Sequence, residues 1–285
     1  MEQKGPSRTA ITTASHRAAH LLLDDDPKIL ADPFARALAG FASDAEMLDA
    51  LSAELLEFPH LRVVCTLRNR YAEDELAEAI AHGIDQYIIL GAGLDSFAYR
   101  RPDLVEALDV FEVDHPASQA WKRARVAELG IAVPTHLHHV SIDFERRTLG
   151  EGLAESIVDL GKPVFLSLLG VTQYLTPDAT LRMLRDVAAT TASGSELVFQ
   201  FVVPPATLAG DEAALVTAFA ERNGSRGEPW LSYFEPAEIE RHLLAAGFSG
   251  VVHFGPEEAT QRYLRGRGDG LCMPAYFHMI KASIA

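Results

Sequence analysis

Apolar positions recur at helical spacing through the first eighty residues, then give way to short, nearly continuous apolar runs separated by helical stretches. Residues 7 to 82 predict helix throughout. Ser7 to Leu23 is alanine-rich and breaks at Asp24-Asp25-Asp26-Pro27, and Asp32 caps a short helix with Pro33 at its first position and Gly40 at its end. Ser43 and Glu46 make a capping box for a helix running to about Phe58. His60 to His82 is the longest, with Val63, Val64, Leu67, Tyr71, Leu76 and Ile80 as its apolar stripe and Gly83 as its stop.

From Gln86 the pattern alternates strand and helix. Tyr87 to Leu90, Val110 to Asp114, about Thr135 to Ile142, Pro163 to Ser167 and Glu196 to Val203 read as strands. Helices are expected from Pro116 to Gly130, within Leu149 to Leu160, and from Pro177 to Thr191. Pro204-Pro205 opens an irregular, partly helical insertion to about Phe234. An amphipathic helix carrying Ile239, Leu243 and Leu244 follows, then strands at Val251 to Phe254 and about Ala275 to Ala282. Seven strands, the last two joined without a helix, fit a doubly wound α/β sheet whose final strand returns antiparallel. On this reading residues 1–83 are a helical cap within the same domain, and 84–285 are the Rossmann-like core with the 204–234 insertion.

Charge narrows the partners. The chain of 285 residues carries 25 Lys and Arg against 40 Asp and Glu, a net charge of −15 without an acidic tail. Such a surface repels phosphate backbones and anionic lipid, which argues against nucleic acid or a membrane as partner. Cys65 and Cys272 offer neither a metal spacing nor a disulfide framework. No signal-peptide pattern opens the chain and no apolar run approaches the ~20 residues that span a bilayer, so a cytoplasmic setting is expected.

The candidate chemistry gathers around Gln86 to Arg100. The strand runs straight into Gly91-Ala92-Gly93, where missing side chains allow positive φ and close approach of a ligand. About twenty residues on, the second strand ends in Asp114, placed to accept from both hydroxyls of a ribose. An adenosine-containing cofactor follows. Which one stays open at this point, because Ser96 stands where a dinucleotide site has its third glycine.

Leu90-Gly-Ala-Gly-Leu-Asp-Ser-Phe-Ala-Tyr-Arg100, Phe111-Glu-Val-Asp-His-Pro116 and Ile142-Asp-Phe144 resemble the S-adenosylmethionine-dependent methyltransferases of the leucine carboxyl methyltransferase-like group, which includes polyketide O-methyltransferases. The resemblance runs from Ser7-Arg-Thr-Ala10 to the Tyr263-to-Leu271 segment, nearly the whole chain. It implies the class I methyltransferase fold, S-adenosyl-L-methionine as cofactor, and O-methylation in secondary metabolism. It also implies site residues. Gly91 and Gly93 would lie against the methionine part, Asp114 would hold the ribose, and Asp143 with the Phe144 backbone N–H would read the adenine. Arg70 would clamp the cofactor's carboxylate. Two departures stand out: Asp95-Ser96-Phe97 where the family often has Asp-Thr-Arg, and Leu169-Gly170 where many members have Glu-Gly.

Each reading has a plainer alternative. Arg70 can form an i,i+4 ion pair with Asp74, and Asp143 can cap a loop. His136, His138 and His139 lack a third ligand at a metal spacing, so no metal is expected. His115 is expected to shape its loop. Arg267, in the basic cluster Arg262 to Asp269, can hold an acceptor carboxylate or pair with Asp269 or Glu257. The segment after the fourth strand has no ionisable group before Tyr174, which favours an acceptor needing no general base, a carboxylate or acidic hydroxyl. Tyr174 and Arg267 are the candidate catalytic residues, and Tyr174, Trp230, Tyr233 and Phe234 are a candidate acceptor wall whose plainer reading is core. The competing readings are a nicotinamide-dependent oxidoreductase and a non-catalytic cofactor-binding protein.

Overall fold

In the computed structural model, which describes residues 7–144 and 146–285, the helical opening and the strand–helix alternation both form. Seven strands follow the order β3-β2-β1-β4-β5-β7-β6. The chain divides into two compact units, one reaching Arg147 and including Gly266–Leu271, the other holding the remainder.

The first unit begins with α1 (Arg8–Leu23), α2 (Ala35–Leu38), α3 (Asp44–Glu57) and α4 (Leu61–Ala81). Ser7 and Ser43 cap α1 and α3 by accepting from the backbone N–H three residues on. Small side chains let these helices close up: Ala18, Ala19 and Ala35 pack with Met47 and Leu51. The helix expected after Asp32 is a single turn. One Asp32 oxygen accepts from Phe34 N–H, while the other faces α1. Then come β1 (Gln86–Leu90), α5 (Phe97–Arg100), α6 (Pro102–Val105), β2 (Asp109–Asp114), α7 (Pro116–Glu128) and β3 (Leu137–Ser141). Strands β1, β2 and β3 pair in parallel. Every residue of β1 is buried, which is why its sequence is a continuous apolar run without alternation. The turns α5 and α6 had no periodic signal, being four residues each.

The second unit contains α8 (Leu149–Ala154), β4 (Phe165–Leu168), α9 (Pro177–Thr190), β5 (Glu196–Val202), α10 (Glu212–Ser225), α11 (Pro236–Ala246), β6 (Phe248–Phe254), α12 (Pro256–Ala259) and β7 (Phe277–Ile284). Helix α8 lies within the expected range and ends early in it, where Ser156 N–H and Oγ both turn back onto the Leu153 carbonyl. The 204–234 stretch holds one 14-residue helix, α10. Strand β7 begins two residues later than expected, after a turn in which Phe277 N–H donates to the Pro274 carbonyl. It pairs antiparallel with both β5 and β6, so β6 runs in the direction of β5. Phe199 and Phe201 on β5 are fully buried.

Candidate active site

Three adjacent parallel strands deliver the predicted residues to one edge of the first unit. Leu90 at the end of β1 pairs with Val113 of β2, and Asp114 pairs with Ser141 of β3. Gly91 and Ala92 N–H both donate to the Val113 carbonyl, at 2.8 and 3.1 Å, which curls the chain over the end of β2. Gly91 and Gly93 have φ of 69° and 46°, the left-handed region where a side chain is strained. A Cβ at Gly93 would also stand 3.5 Å from Ala10 of α1.

Asp114 closes this loop from the other side. Its Oδ2 accepts from Gly93 N–H at 2.5 Å and its Oδ1 from His115 N–H at 2.6 Å. Burial raises its pKa, and the two backbone donors, with Lys122 and His115, offset this only in part. A carboxylate offers about four lone-pair sites, so two acceptor positions remain. His115 does cap α7, its Nδ1 accepting from Ala117 N–H.

Past β3, Ile142 N–H donates to the Asp114 carbonyl at 3.0 Å, bringing Asp143 and Phe144 alongside Asp114. The Asp143 carboxylate lies 3.3 Å from Arg146 Nε, and its carbonyl accepts from Arg146 and Arg147 N–H. Gly91, Gly93, Asp114, Asp143 and Phe144 therefore share the carboxyl ends of β1, β2 and β3, where parallel sheets take ligands. Arg70, on α4, donates from Nε to Asp74 at 2.9 Å and from Nη1 to the Ile29 carbonyl at 3.4 Å. Its neighbour Asn69 is the α4 residue that meets the glycine loop, donating to Asp95 Oδ2 at 2.9 Å.

Sequence reasoning missed the charges behind this loop. Arg17 of α1 donates to the Leu94 carbonyl at 2.7 Å and to Asp32 at 2.8 Å, and Asp32 also accepts from Ser96 Oγ at 2.7 Å. All three are buried. Burial pushes the Asp32 pKa up, but Arg17, Arg100 and Ser96 outweigh it and hold the carboxyl below its ordinary range. Arg100 links Ser96 to Glu73. The signal in the sequence was Ser96 itself, which keeps the hydroxyl of the family's threonine. Glu112 on β2 and Lys122 on α7 form a second buried pair at 2.7 Å, with His139 Nδ1 at 3.7 Å from Glu112.

The remaining candidates have local partners. His136 and His138 both face Asp109, while His139 points to the opposite face of β3. Among the described residues no group of three His, Cys, Asp or Glu could hold a metal. The Arg267 guanidinium donates to Asp269 and to the Pro27 and Asp25 carbonyls, while Asp269 accepts from Asp25 N–H. That arrangement fastens the Gly266–Leu271 loop to the turn after α1. In the second unit Tyr174 ends one 3₁₀ turn, and Trp230 packs edge-on against Phe219, Tyr233 and Phe277.

The model of the leucine carboxyl methyltransferase family matches residues 10–188 of this chain. The chain belongs to that family. YktD of Bacillus subtilis, which by name falls among the S-adenosyl-L-methionine-dependent methyltransferases, is 33% identical over 215 residues, covering 75% of this chain and 70% of YktD. A Mycolicibacterium paratuberculosis protein named to the same class is 30% identical over 280 residues, covering 92% of this chain and 87% of that protein. A solved Thermobifida fusca structure, titled as a methyltransferase by assignment, superposes with a TM-score of 0.62 at 20% identity, over 100% of this chain and 97% of that one. The fold is that of the class I methyltransferases, and the protein is an S-adenosylmethionine-dependent methyltransferase. Its residues suit that cofactor: a half-satisfied carboxylate stands beside a glycine loop that presents bare backbone. No helix among the described residues is long and apolar enough to cross a membrane.

Proposed function

We propose that this methyltransferase acts on oxygen, methylating the carboxylate or acidic hydroxyl of a small molecule in secondary metabolism. The observation that carries this reading is chemical: from Leu169 through Gln173, following β4, no side chain can ionise. The hydroxyl of Thr172 is committed to the Gln200 carbonyl at 2.7 Å. An acceptor that is already anionic, or nearly so, needs no base. The family's name points to a carboxyl group as well.

S-adenosylmethionine, when bound, supplies a sulfonium methyl group for in-line displacement. The chain's part is then to hold and align, which can lower such a barrier by several kcal/mol. In this proposal Asp114 accepts from the ribose hydroxyls, and Gly91 and Gly93 present backbone to the methionine part. Asp143 and the Phe144 N–H face the adenine, and Arg70 exchanges Asp74 for the cofactor's carboxylate. The acidic surface supports a small-molecule acceptor rather than nucleic acid.

The test is incubation with methyl-labelled S-adenosylmethionine and a panel of carboxylic acids, phenols, alcohols and amines. The expected product is an alkali-labile methyl ester or an alkali-stable methyl ether. Label found only on nitrogen or carbon would overturn the proposal.

A further inference from the structure

Among the polar atoms of the second unit that are buried without a hydrogen-bond partner are three from uncharged side chains, Gln173 Oε1, Asn223 Nδ2 and Trp230 Nε1. Their residues are 3%, 7% and 8% exposed. A buried donor or acceptor left unmade costs stability, so each such group in a native fold needs an explanation. Backbone bonds bring the three into one neighbourhood. Leu231 N–H donates to the Gln173 carbonyl at 2.6 Å, which holds the Trp230 segment to the turn after β4. The Asn223 carbonyl accepts from Arg226 and Glu228 N–H at 3.1 and 3.0 Å, folding the end of α10 back toward Trp230. Phe219, one turn before Asn223, meets the Trp230 ring edge-on with centroids 5.0 Å apart. Tyr233 and Phe277 extend the aromatic surround at 6.3 and 6.2 Å. None of the three orphaned groups is charged, and burial raises the Tyr233 phenol, so it too stays neutral.

We propose that Gln173, Asn223 and Trp230 form the subsite for the uncharged body of the methyl acceptor, an aromatic molecule bearing a carbonyl and a hydroxyl. The Trp230 and Asn223 N–H groups donate to the carbonyl, and Gln173 Oε1 accepts from the hydroxyl. Aromatic side chains with a few convergent polar groups are the usual lining of a small-molecule site. The occupant's identity as methyl acceptor rests on the proposed function; the subsite rests on the orphaned atoms.

The experiment uses the full chain saturated with S-adenosylhomocysteine, with 4-hydroxyacetophenone as probe, titrated calorimetrically. Gln173→Met, Asn223→Leu and Trp230→Phe each remove the polar atom and keep much of the shape. Each is expected to weaken probe binding about five- to tenfold and to leave S-adenosylhomocysteine affinity unchanged. The unfolding midpoint of the unliganded protein should hold or rise, because an unsatisfied group has been removed. Lowered midpoints with unchanged probe binding, the behaviour of groups bonded to internal water, would overturn the inference. So would the absence of saturable binding to the wild-type protein. A wild type that binds the probe through these residues yet methylates no oxygen acceptor leaves the subsite standing and sinks the proposed function instead.

Discussion

Replacing Lys122 with methionine should unfold this protein more easily, by an amount that depends on pH in a definite direction. Lys122 and Glu112 are 2% and 1% exposed at the side chain and sit 2.7 Å apart, and the ammonium also lies 5.7 Å from the centre of the Tyr99 ring. Removing one member of a buried ion pair costs about 3–5 kcal/mol, because the other charge is left without compensation. Glu112 can escape part of that cost by taking a proton. Burial already raises its pKa, Asp95 and Asp114 add to the rise, and Lys122 is what opposes them. His139, held at about 4 chiefly by burial and then by Lys122, would also bind a proton more readily beside an unpaired Glu112. In Lys122→Met the folded state therefore binds more protons than the unfolded chain above the ordinary glutamate pKa of 4.5. Stability then rises as pH falls through the raised folded pKa. Urea unfolding should show a loss of about 3 kcal/mol at pH 8 that shrinks by pH 6. The double variant Glu112→Leu, Lys122→Met should recover most of the loss, since an apolar pair leaves nothing uncompensated. A Lys122→Met protein within about 1 kcal/mol of wild type at pH 8, or one whose loss is the same at both pH values, would refute the reasoning.

Three further outcomes follow from other parts of the molecule. Asp114→Asn should weaken S-adenosylhomocysteine binding by about one to two orders of magnitude by calorimetry; unchanged affinity would remove Asp114 from the cofactor site. Arg267→Ala should lower stability by about 2 kcal/mol, through loss of its bonds to Asp25, Pro27 and Asp269. It should leave cofactor affinity intact, and a large fall in affinity would show that the role of Arg267 extends beyond fastening its loop. Burial, with His253 adding, holds His278 at about 4 against an ordinary 6.5. The folded state keeps it neutral where the unfolded chain protonates, so its contribution is full above pH 6.5 and is lost as pH falls toward 4. Comparing urea midpoints at pH 7.5 and 4.5 for wild type and His278→Gln should show a smaller acid loss in the variant.

The glycine loop was readable because its signals are local. Gly91 and Gly93 adopt positive φ for reasons confined to their own backbone, and Asp114 follows at a spacing set by one strand–helix–strand unit. Local reading left Arg70 open between two partners. Its helical neighbour at i+4 is Asp74, and the fold forms that pair, while Asn69, one residue away with no motif to mark it, reaches the loop. A helix turns about 100° per residue, so a shift of one position changes which element a side chain meets. Arg267 was ambiguous for a similar reason: its partner Asp269 is two positions on, but the Asp25 and Pro27 carbonyls lie 242 and 240 positions away.

The sequence by itself determined the order of the strands and longer helices, the two conformationally special glycines, and the carboxylate at the end of β2. Together these are enough to point to an adenosine-containing cofactor on a doubly wound sheet, because each depends on side-chain periodicity, φ preference or spacing within a few tens of residues; the methyltransferase class rests on the likeness to relatives. Only the tertiary structure decided that β7 lies between β5 and β6, that Arg17 and Asp32 brace the loop through Leu94 and Ser96, and that one side-chain polar atom each of Gln173, Asn223 and Trp230 is buried without a partner. Those facts depend on pairings between residues separated by 15 to 87 positions. Nothing in local propensity selects one such pairing over another; burial of charge and apolar surface in the folded chain does.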